Sequence, residues 1–228
     1  MIEVLYEDNH LIAINKKSGD IVQSDKTGDT PLSDIIKIYI KKKYKKPGNV
    51  FLGTIHRLDR PTSGVVLYAK TSKALKRMNE KFKEKEVTKT YWAIVNNPPS
   101  NKIGTLKNFL KKNKKQNKSY ITKESDGKFS ILKYQILNKL DKFYHLEIQP
   151  ETGRHHQIRV QLANIGCNIK GDLKYGAKRS NKDASIHLLA RKIDFTHPVT
   201  LEKITITAPA PKDTLWDTVS IIQDQHQL

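Results

Sequence analysis

The residues of this chain best able to do chemistry stand in one polar stretch, Thr54-Ile55-His56-Arg57-Leu58-Asp59-Arg60-Pro61-Thr62-Ser63-Gly64. Asp59 lies between Arg57 and Arg60, and cations that close favour the ionised carboxylate. A carboxylate held in that state can act as a nucleophile or stabilise developing positive charge. An isolated Arg-x-Asp-Arg is more often a loop ion pair, so the stretch has to be judged by its surroundings. Directly after it comes Val65-Val66-Leu67-Tyr68-Ala69, an uninterrupted β-branched and aromatic run with the pattern of a strand covered on both faces. Pro61 and Gly64 punctuate the approach, which places Asp59 on a loop whose exit is anchored in the core.

The elements that must hold such a loop can be read in order. Val4-Leu5-Tyr6 and Leu11-Ile12-Ala13-Ile14 flank a polar turn and predict a hairpin, followed by the turn Lys16-Lys17-Ser18-Gly19. Leu32, Ile35, Ile36, Ile38 and Ile40 predict a helix over 31–44, capped by Thr30 with Pro31 at its first position. Leu75, Met78 and Phe82 form the apolar stripe of a second helix over 72–86, with Ser72 as its cap. Lys89 to Val95 reads as a strand with Tyr91, Ala93 and Val95 on one face. Strands are expected at 129–137, 143–148, 186–195 and 204–207, a helix at 158–165 ended by Gly166, a loop at 171–176 and a short helix at 215–222. No internal repeat or interior linker appears, so one continuous domain over residues 1–228 is expected.

Composition narrows the partners. The 228 residues carry 42 Lys and Arg against 23 Asp and Glu, a formal charge of +19. Part of that excess can reflect a lysine-rich proteome, but a polyanion is the natural partner, and no basic amphipathic helix with an aromatic face favours a membrane. Lys16, Lys89 and Arg154 are candidate phosphate contacts, which position a nucleic acid without reading its sequence. The segment from Lys107 to Lys128 is the most basic and least apolar, and reads as a surface loop or a mobile basic arm. No apolar run approaches the roughly eighteen residues a membrane span needs. The acidic N-terminus lacks the form of a signal peptide, and a single Cys167 excludes an intramolecular disulfide, so a cytoplasmic location is expected. Adjacent helical residues point about 100° apart, so His155 and His156 are not expected to share a metal ion. No Gly-Lys-Ser/Thr phosphate loop is present, which speaks against nucleotide hydrolysis and a nucleotide cofactor.

The string His56-Arg57-Leu58-Asp59-Arg60-Pro61-Thr62-Ser63-Gly64 resembles the signature of the RluA family of pseudouridine synthases. Further stretches resemble that family in order: the opening hairpin with its Lys-x-x-Gly turn, Lys89-x-Tyr91, Thr152-Gly153-Arg154-x-x-Gln157-Ile158-Arg159, and Gly171-Asp172-x-x-Tyr175-Gly176. The chain departs from the pattern at Lys17, where a proline is usual, and at Leu189, where a histidine is common. The resemblance implies an α+β fold with a curved, mostly antiparallel mixed sheet, flanking helices and an RNA-binding cleft. It implies a monomeric catalytic domain whose pattern starts at Val4, without the small RNA-binding domain that many members carry in front.

The activity implied is isomerisation of a uridine in ribosomal or transfer RNA to pseudouridine, with no metal and no organic cofactor. Asp59 matches the family's catalytic carboxylate, Arg159 the arginine that pairs with it, and Tyr91 the hydroxyl that lines the uracil and moves a proton. Arg57 stands where the family places a side chain that helps displace the flipped base. Two other readings stay open. A non-catalytic RNA-binding or RNA-folding factor would use the same cleft without needing Asp59, Tyr91 and Arg159 together. A basic nuclease would need paired carboxylates or a spaced histidine pair, and neither stands out.

Overall fold

The computed structural model describes residues 2–24 and 28–225. They form two compact units: residues 2–88 with 190–209, and residues 89–189 with 210–225.

The first unit is built around an antiparallel hairpin, β1 (Val4–Glu7) and β2 (Leu11–Lys16). Strand β2 pairs antiparallel with β4 (Ser63–Ala69), and the two-residue β3 (Gly53–Thr54) also pairs with β4. The next neighbour of β4 is β10 (Leu188–Thr196), whose residues 190–196 belong here and which pairs with β11 (Lys203–Thr207). Every residue of β4 is buried, as its apolar run requires. Helix α1 (Leu32–Lys43) buries Leu32, Ile36 and Ile40, and helix α2 (Ser72–Lys83) buries Ala74 and Met78. Both caps fall one residue from the expected place. Pro31 rather than Thr30 precedes α1, and Thr71 rather than Ser72 caps α2 by accepting from the Ala74 N–H at 3.2 Å.

The second unit is an antiparallel sheet in the order β5-β9-β8-β6-β7. These strands are β5 (Thr88–Val95), β6 (Ile103–Asn113), β7 (Lys118–Thr122), β8 (Lys128–Lys139) and β9 (Tyr144–Pro150). Helix α3 (Gln157–Asn164) lays Ile158 and Leu162 into a core with Ala93, Leu146 and Ile148. The 171–176 loop contains a short 3-10 turn at Leu173–Tyr175, and α4 (Thr214–Gln225) ends the described chain.

The lysine-rich segment is not an irregular arm. Residues 103–122 form the β6–β7 hairpin, paired from Phe109↔Thr122 to Asn113↔Lys118. Along β6 the even positions Leu106, Asn108 and Leu110 are sheltered while Thr105, Lys107 and Lys111 are exposed. The strand period was there, but lysines on the outward face hid it. Leu110 packs with Val160 and Tyr175, so the hairpin is anchored by a small core of its own.

Candidate active site

Within the first unit, Asp59 opens a tight turn: its carbonyl accepts the Thr62 N–H at 3.0 Å. The next three carbonyls are all gripped by the 16–19 turn. Arg60 O accepts from the Gly19 N–H at 2.9 Å, Pro61 O from the Ser18 hydroxyl at 3.2 Å, and Thr62 O from the Lys16 ammonium at 2.7 Å. Lys16 donates also to Arg60 O at 3.0 Å and to Lys17 O at 2.9 Å. An ammonium has three protons, and three carbonyls take them. The side chain is completely buried. Lys16 is therefore not a phosphate contact, as its charge alone suggested, but the clamp that fixes the backbone bearing Asp59. Burial pushes its pKa down to about 8, while the nearby Asp20 and Asp59 carboxylates act in the opposite direction.

Asp59 itself is half-buried, and Arg57 and Arg60 are exposed. Arg60 pairs with Asp29 at 2.7 Å. His56, at the head of the signature, accepts the Leu67 N–H through Nε2 at 3.1 Å and stacks on Phe82, so it braces β4. Gly64, where the loop enters β4, has φ +113°, and a Cβ there would lie 2.3 Å from Ala190 O. Only glycine fits this approach.

In the second unit, Tyr91 lies on β5 opposite Ile148 and packs against the core. Lys89, two residues before it, is half-buried and has its pKa lowered by desolvation. A Cβ at Gly153 would sit 3.9 Å from the Lys89 ammonium, so this lysine and the 152–154 turn are neighbours. Gln157 fastens that turn: its Oε1 accepts from the Thr152 hydroxyl at 2.8 Å and the Arg154 N–H at 3.0 Å. Arg154 is exposed and donates through Nε to Phe129 O at 3.1 Å.

Arg159 is 5% exposed on α3 and forms a two-pronged pair with Asp172, Nε to Oδ2 at 2.7 Å and Nη2 to Oδ1 at 2.8 Å. This geometry holds a guanidinium plane firmly. Sequence reasoning quoted Asp172 within a motif but gave it no task. A buried arginine requires a buried carboxylate, and Asp172, 1% exposed, supplies it; neither burial is legible in the sequence. Two of five guanidinium protons go to Asp172, so this pair leaves room for a second acceptor.

His155 and His156 are not helical neighbours. His156 is the left-handed residue preceding α3, with φ 54°, and the two rings stack at 3.8 Å. The angular argument against a shared ion was thus wrong in its premise. Among the described residues, no group of three or more His, Cys, Asp or Glu is arranged to hold a metal. No described helix is long and apolar enough to cross a membrane.

The family model described as RNA pseudouridylate synthase matches residues 10–164, a span that contains the clamped loop, Tyr91 and Arg159. The chain belongs to this family. It is 36% identical over 214 residues to the ribosomal large subunit pseudouridine synthase C of Buchnera aphidicola subsp. Baizongia pistaciae, covering 90% of this chain and 66% of that protein. It is 32% identical over 215 residues to the uncharacterized RNA pseudouridine synthase YlyB of Bacillus subtilis, covering 93% of this chain and 70% of that one. The chain thus spans about two thirds of the length of these curated relatives. The solved structure of human RNA pseudouridylate synthase domain containing 4 superposes with a TM-score of 0.79 at 24% identity, over 95% of this chain and 92% of that one. The resemblance seen in the sequence is therefore borne out, and the α+β fold is that of pseudouridylate synthases.

Proposed function

We propose that this protein is an RNA pseudouridine synthase that isomerises a uridine of ribosomal RNA, with Asp59 as the essential carboxylate. The observation that carries the reading is the clamped loop. Three successive carbonyls after Asp59 are bound by a buried lysine, a serine and a glycine N–H, which is far more restraint than a surface ion pair needs. Such restraint is what positioning a reacting group requires. The Buchnera relative is named a ribosomal large subunit pseudouridine synthase, which points to large-subunit ribosomal RNA as the substrate.

The reaction breaks the bond between uracil N1 and ribose C1′, turns the base, and joins C1′ to C5. The C5 proton must leave and N1 must gain one, so the formula is unchanged. Asp59 supplies the anion that opens the glycosidic bond as nucleophile or charge stabiliser. Tyr91 carries the proton from C5. Arg159 supplies the cation that keeps the carboxylate ionised as water is excluded. Arg57, exposed beside Asp59, takes part in displacing the target base, and Lys89 and Arg154 meet phosphates. A carbodiimide mapping of unmodified ribosomal RNA treated with the purified protein tests this reading. New adducts at one or a few uridines are expected, and none at any uridine would overturn it.

A further inference from the structure

Within the Gly171-to-Gly176 motif Asp172 holds Arg159, while Tyr175 is still without a task and sits in a dense buried polar cluster of the second unit. We propose that Tyr175 is a positioning residue whose ring backs the Arg159 guanidinium and whose hydroxyl tethers the lysine-rich β6–β7 hairpin. RNA grip and the catalytic cation are then set by one side chain. This rests on the role proposed for Arg159.

The geometry supplies both halves. Tyr175 is 6% exposed, and Arg159 Cζ lies 5.1 Å from its ring centroid. The neighbouring Asp172 holds the same guanidinium through two hydrogen bonds. Asp172 and Tyr175 are locked to each other as well, because the Tyr175 and Ala177 N–H groups both donate to Asp172 O at 3.0 Å. On the other side, the Tyr175 hydroxyl accepts the Ser119 N–H of β7 at 2.9 Å and lies 2.9 Å from His156 Nδ1. A phenol has one proton, and two acceptors face it: the Ser119 carbonyl of β7 at 3.3 Å, and His156 Nδ1, whose imidazole burial keeps neutral with its pKa pushed down to about 2. The hairpin has further ties at the same place. The Ser119 hydroxyl donates to His155 O at 2.7 Å, and Lys174 donates to Asn117 O at 3.1 Å. Lys118 stands over the Tyr175 ring at 5.1 Å.

A buried tyrosine is ordinarily part of a core. Here its hydroxyl also binds the backbone of β7, the edge strand of a hairpin that carries lysines 111, 112, 114, 115 and 118, while its ring bears on Arg159. A purely packing residue would be indifferent to loss of one oxygen, apart from stability.

The test uses the full chain, an unmodified transcript of large-subunit ribosomal RNA, single-turnover kinetics, binding titrations and hydrogen exchange without RNA. Tyr175→Phe keeps the ring and removes the tether. It should weaken RNA binding about tenfold, the value of one buried hydrogen bond, with a smaller loss in maximal rate. Exchange of amides 111–121 should accelerate. Tyr175→Leu removes the ring too and should lower the maximal rate at saturating RNA by a further factor on the order of ten or more, as misplacement of a reacting group does. Ser119→Ala, cutting the tie to His155, should reproduce the Phe pattern even where Leu fails to fold. Equal effects of Phe on binding and rate, or unchanged exchange in 111–121, would overturn the proposal. Were the wild type to form no pseudouridine, the proposed function would fall, while exchange and binding would still decide the tether.

Discussion

Replacing Lys16 with Met separates a structural clamp from an RNA contact. The change keeps the apolar stem and removes three donors. Arg60 O retains the Gly19 N–H at 2.9 Å and Lys17 O a long bond from the Asp20 N–H at 3.4 Å, so the loss falls chiefly on Thr62 O. One buried carbonyl left without a donor costs about 1–3 kcal/mol. Relief from burying a cation offsets part of this, so a fall in melting temperature of a few degrees, roughly 2–8 °C, is expected. The functional cost should be larger. A displacement of the Asp59 backbone by about 1 Å can lower the rate on the order of 100-fold at saturating RNA. The pH dependence adds a second check. Lys16 titrates at about 8 in the folded protein against an ordinary 10.5. Between those values the unfolded chain binds more protons than the folded one, so the lysine's contribution to stability rises with pH. The stability gap between wild type and Lys16→Met should widen from pH 8 to 10.5, by up to about 3 kcal/mol. Melting curves across that range and single-turnover rates measure both effects. A variant with the wild-type maximal rate, weaker RNA binding and a flatter salt dependence would refute the clamp and return Lys16 to the phosphates.

Three further outcomes are expected from the same structure. Gly64→Ala places a Cβ 2.3 Å from Ala190 O at a φ of +113°, and soluble expression should collapse; a folded, active variant would show that β4 can shift. Asp172→Ala leaves the buried Arg159 without its two-pronged partner and should cost about 3–5 kcal/mol by denaturant titration, whereas a loss under about 1 kcal/mol would mean another group carries the pair. Changing Lys111, Lys112, Lys114 and Lys115 to Ser should flatten the log–log salt slope of RNA binding by roughly two to four, at about 0.7–0.9 per phosphate, and an unchanged slope would place the grip elsewhere.

What the sequence disclosed depended on how local the physics was. Strand β4 and the loop before it were legible because an apolar run and a Pro/Gly approach are contiguous signals. Helices α1 and α2 were legible from their stripes, with caps misplaced by one residue. The clamp was not legible, because Lys16 acts on carbonyls 44 and 46 residues away and a lysine in a basic chain reads as surface. The hairpin was missed for a related reason: its outward lysines masked the two-residue period that Leu106 and Leu110 carry on the inward face. Arg159 was found only by resemblance, and its Asp172 partner only by coordinates. Burial of that arginine is a tertiary fact, set by packing α3 across the sheet.

The most direct test of the central claim is single-turnover pseudouridine formation by Asp59→Asn beside the wild type on the same unmodified ribosomal RNA. Asparagine keeps size and hydrogen bonding while removing the negative charge. Loss of all detectable pseudouridine with RNA binding retained or slightly strengthened is the predicted result. Turnover by Asp59→Asn at the wild-type rate would contradict the assignment of the carboxylate and, with it, the mechanism built around the clamped loop.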